Sequence, residues 1–124
     1  MEALVKAVFT GMWKSFKIFK HTGSIILNSE RYFKEFHFTE QGILTIKNFK
    51  GDLVEKIVQT NQWSIELKDK RHYLKVLLYH LNYEVITINH TVLVLSDTMN
   101  QDKVFLTREA HWSSALKANT CFSM

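Results

Sequence analysis

The sequence predicts an all-β protein: an antiparallel up-and-down β-barrel of about eight strands, with a short N-terminal helix. Three observations carry this. Short runs alternate apolar and polar residues at period two; Trp63, Ile65 and Leu67 face one way and Ser64, Glu66 and Lys68 the other. Turn signals recur between the runs, as in His21-Thr22-Gly23-Ser24, Glu40-Gln41-Gly42, Lys50-Gly51-Asp52 and Asn89-His90. Proline is absent, and 124 residues of 46% hydrophobic composition make one domain with a real core. Closing such a sheet removes the edges an open one exposes, so a barrel is favoured over a flattened sandwich.

In the first ten residues, Leu4, Val5, Val8 and Phe9 share one side of a short helix that lids or props the domain. Strand one covers 12–20, and a short apolar piece follows at 25–27. Residues 31–38 alternate, with Tyr32, Phe36 and Phe38 at even spacing. Gly42 supplies the positive φ for a tight hairpin into 43–49. Further strands are expected at 63–67, 72–80, from 83 to the turn at Asn89-His90, 91–95 and 103–109. The domain thus spans 11–110, between a helical lid (1–10) and a polar C-terminal tail (111–124) that frays unless Trp112 or Leu116 anchors a helical turn. Strand one leaves its inward face open: Trp13, Ser15, Lys17 and Phe19 compete with Met12, Phe16 and Ile18, and a bulge lets both sets contribute.

Gly11-Met12-Trp13 opens the first strand, and Arg108 stands near the end of the last. In a closed barrel those strands are neighbours, so the guanidinium lies across the indole as a cation–π plug. The pair resembles the lipocalin signature, a G-x-W on the first strand and an Arg on the last. Phe38-Thr39-Glu40-Gln41-Gly42, Trp63-Ser64-Ile65-Glu66-Leu67, Tyr83-Glu84-Val85, Thr91-Val92-Leu93-Val94-Leu95 and Leu106-Thr107-Arg108-Glu109 extend the likeness in order and spacing. The chain is therefore similar to small bacterial lipocalin-like domains with a calycin-type β-barrel, over about 11–109. Two features depart from such domains. Asn61-Gln62 stands where a Gly often precedes the central Trp, and Arg108 is followed by Glu109-Ala110, not by the Arg-x-Tyr carboxylate clamp of fatty-acid-binding proteins.

The resemblance implies a binding module without catalysis, holding a small apolar, lipid-like ligand. Phe36, Phe38, Trp63, Ile65, Tyr73, Tyr83 and Leu93 are the expected ligand-binding residues, with Trp13 and Arg108 as a structural plug at the opposite end. Turns at 68–71 and 96–102 would form the mouth. The alternative is a filled-core structural or protein-interaction domain in which the same aromatics simply pack. A Tyr hydroxyl facing a cavity would need a partner, which a ligand or water supplies.

Other chemistry finds little footing. The net charge of +4 is spread along the chain, without the basic stripe of a nucleic-acid binder. The six histidines (His21, His37, His72, His80, His90, His111) have no metal-ligand spacing, so no metal or cofactor is expected. Cys121 is alone, and no Ser sits in a G-x-S-x-G elbow, so no enzyme is expected. Glu35, Glu66 and Glu84 fall at outward positions, as solvated charges rather than an acid–base pair. Asn89-His90-Thr91 is formally a glycosylation acceptor but reads more simply as a turn. Glu2 and Lys6 interrupt the N-terminal apolar residues, and no stretch is long enough to span a bilayer. A cytoplasmic protein is expected unless a signal peptide has been trimmed. Oligomeric state is not readable.

Overall fold

Among the described residues, ten short strands and two helices follow one another. They are α1 (Glu2–Phe9), β1 (Gly11–Phe19), β2 (Ile25–Leu27), β3 (Tyr32–Phe38), β4 (Leu44–Lys50), β5 (Leu53–Thr60), β6 (Trp63–Lys68), β7 (Arg71–Val76), β8 (Leu81–Ile88), β9 (Val92–Asp97), β10 (Lys103–Arg108) and α2 (Glu109–Cys121). The computed structural model describes residues 2–51, 53–60, 62–76 and 81–121, and side-chain surroundings for all of these but 2–5, 55–60, 81, 120 and 121. Tyr79, His80 and the last part of the strand expected at 72–80 lie outside the described residues, as does the turn residue Asp52.

All strands belong to one antiparallel sheet, curled into a half-barrel, in the order β5-β4-β3-β1-β10-β9-β8-β7-β6, with β2 added beside β1. The first and last strands of the chain are thus neighbours. Because directions alternate along this path, its end strands β5 and β6 point the same way. They are also consecutive in the chain, separated only by 61 and 62. One run of chain lends its first half to β4 and its second half to β7, joining the two edges of the sheet. Counted as one strand, with β2 set aside, β5 and β6 bring the total to the eight expected. The Trp63 amide also donates to the Gly42 carbonyl at 3.2 Å, tying β6 to the β3–β4 turn.

A β-bulge settles which face of β1 looks inward. Its register against β10 shifts between Ser15 and Lys17. Trp13 and Ser15 are buried before the shift and Ile18 after it, so inward parity changes from odd to even across Phe16. The β1–β3 ladder ends at Lys14 opposite Glu35, and the Ser15 hydroxyl then accepts the Lys34 amide at 2.8 Å. Beyond that point β2 replaces β3 as the partner of β1. Hence a gap opens in the wall between β2 and β3.

Several expectations need correction. The polar C-terminal stretch is not a fraying tail but the 13-residue helix α2. Trp112 anchors it on the outer side of β1: its Nε1 donates to the Ser15 carbonyl at 2.9 Å, its ring meets Phe33 at 4.5 Å, and Lys14 Nζ lies 4.7 Å above it. Asn119 Nδ2 donates to the Phe16 carbonyl at 2.6 Å and holds the far end. The Trp112 bond takes up the Ser15 carbonyl beside the bulge, while the Phe16 carbonyl also accepts the Asn28 amide at 3.1 Å, a pattern invisible in the helix's own composition. Strand β5 went unanticipated, because Leu53, Val54 and Glu55 alternate poorly. Leu67 shares its face with Trp63 and Ile65 but is 65% exposed, lying past the end of the core. Glu35 is buried rather than solvated, whereas Glu66 and Glu84 pair with Lys75 and Arg71 on the outer face.

Candidate functional site

The two ends of the barrel differ in chemistry. At one end α1 inserts Phe9, which is fully buried and meets Phe38 at 5.3 Å and Trp63 at 6.0 Å. Trp13 and Arg108 sit opposite one another in the β1–β10 register, and the guanidinium carbon lies 3.8 Å from the indole centroid. Arg108 donates to the carbonyls of Val8 and of Thr10, and Trp13 Nε1 donates to the Phe9 carbonyl at 2.8 Å. Three carbonyls at the end of α1, which have no helical partners of their own, are satisfied by this one pair. Gly11 has φ +121°, and a Cβ there would stand 2.6 Å from Arg108 Nη1, so only glycine fits both the conformation and the approach. Burial pulls the Arg108 guanidinium below its ordinary pKa. This end is filled and tied shut.

The other end contains a cavity of about 150 Å³ behind the gap between β2 and β3. Ile18, Ile26, Phe36 and Val104 supply apolar walls; Lys20, Lys34, Tyr83, Asp97, Asn100 and Asp102 supply polar ones. The loop between β9 and β10 is folded by its own side-chain oxygens. The Met99 amide donates to Asp97 Oδ1 at 2.8 Å, the Asp102 amide to Asn100 Oδ1 at 2.9 Å, and Gln101 takes φ 62°. Asp102 crosses to the β1–β2 turn, accepting Lys20 Nζ at 2.8 Å and the His21 amide at 3.0 Å. Its pKa is pulled down to about 2, first by the Lys20 hydrogen bond and then by the His21 donors, against the opposing effect of burial.

Tyr83 is buried, and its ring meets Phe36 edge-on at 5.9 Å. Burial, and secondarily the Asp97 charge, push its phenol well above the usual range, so it remains a hydrogen-bond donor. Among the described residues no group hydrogen-bonds to that hydroxyl, and the buried side-chain atoms without a partner are Asn28 Oδ1, Asn48 Oδ1 and Trp63 Nε1 instead.

Of the expected ligand-binding residues, Phe36 and Tyr83 border this cavity. Phe38, Trp63, Ile65 and Leu93 are buried in the packed core instead. Tyr73 parts from the rest. It lies opposite Glu84, out of phase with the inward Leu74 and Tyr83, and borders an outer groove of about 570 Å³ with Phe19, Ser96 and Lys103. Strand alternation dictates this, since Leu74 and Val76 already occupy the inward side. Of the turns expected at the mouth, that at 96–102 contributes Asp97, Asn100 and Asp102, while Lys68 and Asp69 border another outer groove. Sequence reasoning missed Lys20 and Lys34 because the bulge and the departing β2 decide where they point. The Asn100-x-Asp102 spacing was the one available signal of a built loop.

Asp102 is the buried carboxylate with a histidine beside it, at 3.4 Å from His21 Nδ1. A carboxylate titrating near 2 and already holding Lys20 and a backbone amide is no base at neutral pH. His21, His37, His72, His90 and His111 are all exposed, and His80 lies outside the described residues. Among the described residues no three His, Cys, Asp or Glu side chains gather as a metal site, and no helix is long and apolar enough to cross a membrane. Comparison of the chain with protein-family models, curated proteins and solved structures finds no match.

Proposed function

We propose that the chain is a non-catalytic binding module that takes a compact, largely apolar molecule into the cavity between β2 and β3. One observation carries the reading: the Tyr83 phenol, which makes no hydrogen bond among the described residues, borders the cavity beside the apolar walls of Phe36, Ile18 and Val104. A ligand acceptor reaching Tyr83 would take a hydrogen bond from that phenol while its body fills the cavity. A volume of 150 Å³ suits a ligand of about benzene's size rather than a long acyl chain. The lipocalin-like kinship suggested by Gly11, Trp13 and Arg108 is part of this proposal and is supported by their geometry alone.

The second reading, a filled interaction domain, is favoured by the closed end, where Phe9, Phe38 and Trp63 pack ring against ring. Titration with small phenols and ketones, followed by calorimetry and by Trp fluorescence, separates the two. Saturable one-to-one binding lost in Phe36→Trp, which fills the cavity, supports the module. No binding by any member of the series, with native mass spectrometry also free of small molecules, leaves the filled domain.

A further inference from the structure

Strand β2 places three consecutive aliphatic residues in water: Ile25 is 56%, Ile26 43% and Leu27 50% exposed. Pairing across β1 extends this strip. Leu27, Lys17 and Phe105 form one outward row, and Ile25, Phe19 and Lys103 the next, flanking the inward row of Ile26, Ile18 and Val104. Phe19 and Phe105 meet at 5.0 Å, and Lys17 Nζ lies 4.8 Å above the Phe105 ring. The outer surface here is thus aliphatic at its edge, aromatic behind, and set with two lysines.

We propose that this strip docks on an anionic lipid surface. Ile25 and Leu27 enter the boundary between headgroups and acyl chains, while Lys17 and Lys103 reach anionic headgroups on their flexible stems. Charge complementarity selects this occupant. Both charged side chains in the two rows are cations, and the chain carries a net +4. Asp102, which reaches the β1–β2 turn, is already held by Lys20, and Glu84, across Ser96 from Lys103, is paired with Arg71. Exposed Glu30, beyond the strand, is the one acidic residue between 21 and 34. Size points the same way, since a three-residue edge falls far short of the roughly 800 Å² per partner that stable protein pairs bury. A bilayer needs only a few inserted side chains and a cationic border. The inference is independent of whether the cavity holds a ligand.

Flotation of the full chain with vesicles tests it. Wild type is expected to float with phosphatidylcholine vesicles containing about 30% phosphatidylglycerol, but not with phosphatidylcholine alone. Raising the salt from about 50 to 300 mM should weaken the association. Ile25→Ser/Leu27→Ser should lower the partition at least about tenfold, and Lys103→Glu about fivefold or more, a lysine near such a surface contributing about that factor. These side chains are exposed, so unchanged melting curves would show the variants folded. Wild type that stays with the aqueous phase, variants that float equally well, or binding indifferent to salt would each overturn the proposal. A concentration-dependent dimer abolished by Ile25→Ser/Leu27→Ser, without flotation, would assign the strip to self-association instead.

Discussion

Arg108 lies over Trp13 at 3.8 Å and, from that position, donates to the carbonyls of Val8 and Thr10 on either side of the carbonyl that Trp13 itself serves. The contact between the two side chains therefore fastens a third element. Indole and guanidinium hold each other, and both hold the end of α1. Phe9 is carried into the core by this fastening, where it packs on Phe38 and Trp63.

Truncating the indole removes packing and a helix-end donor together. Trp13→Ala is expected to destabilise the fold by about 3–5 kcal/mol. Arg108→Lys keeps the charge but loses the planar fork and one or both carbonyl bonds, for a loss of about 1–3 kcal/mol. Urea unfolding measures both. A Trp13→Ala midpoint equal to wild type would remove the indole from its assigned structural role.

Acid should expose the Asp102 staple. Its folded-state pKa, about 2, lies below the ordinary 3.8. The staple therefore stabilises fully above that ordinary value and fades as pH falls through the folded one. Wild type should exceed Asp102→Asn in stability by a constant margin at neutral pH, and the margin should close between about pH 4 and pH 2. Denaturation midpoints of the two proteins across that window decide the matter. A margin that stays unchanged down to pH 2 would show that Lys20 and His21 do not depend on the carboxylate charge.

Tyr83→Phe deletes a hydroxyl that no group among the described residues uses. Melting without ligand should shift by no more than about 0.5 kcal/mol in equivalent stability, against about 1 kcal/mol for losing a satisfied hydrogen bond. Binding of a carbonyl-bearing ligand should weaken in the same variant. A clear loss of stability, with binding untouched, would place the hydroxyl in the protein's own network rather than at a ligand.

How much of this was legible beforehand depended on how local the cause was. Strands such as Trp63–Lys68 obey period-two alternation, and their bounds followed directly. The meeting of Trp13 and Arg108 followed from topology, since neighbouring terminal strands bring those registers together. Three features resisted for a shared reason: each depends on a contact distant in sequence. α2 is held by carbonyls at a bulge about a hundred residues earlier. Tyr73 faces out because Leu74 and Val76 take the interior. The cavity exists because β3 leaves β1 at Ser15, where no composition signal marks the parting.

The way β5 passes into β6 has a mechanical meaning. Elsewhere around the sheet, neighbouring strands are laced by rows of amide bonds that must open together, whereas here no ladder joins the two borders among the described residues, and the backbone itself and the Trp63 amide bond to Gly42 link them. Cutting the chain between 60 and 63 would sever the seam without breaking a single ladder, leaving a nine-strand ribbon free to unroll from that corner.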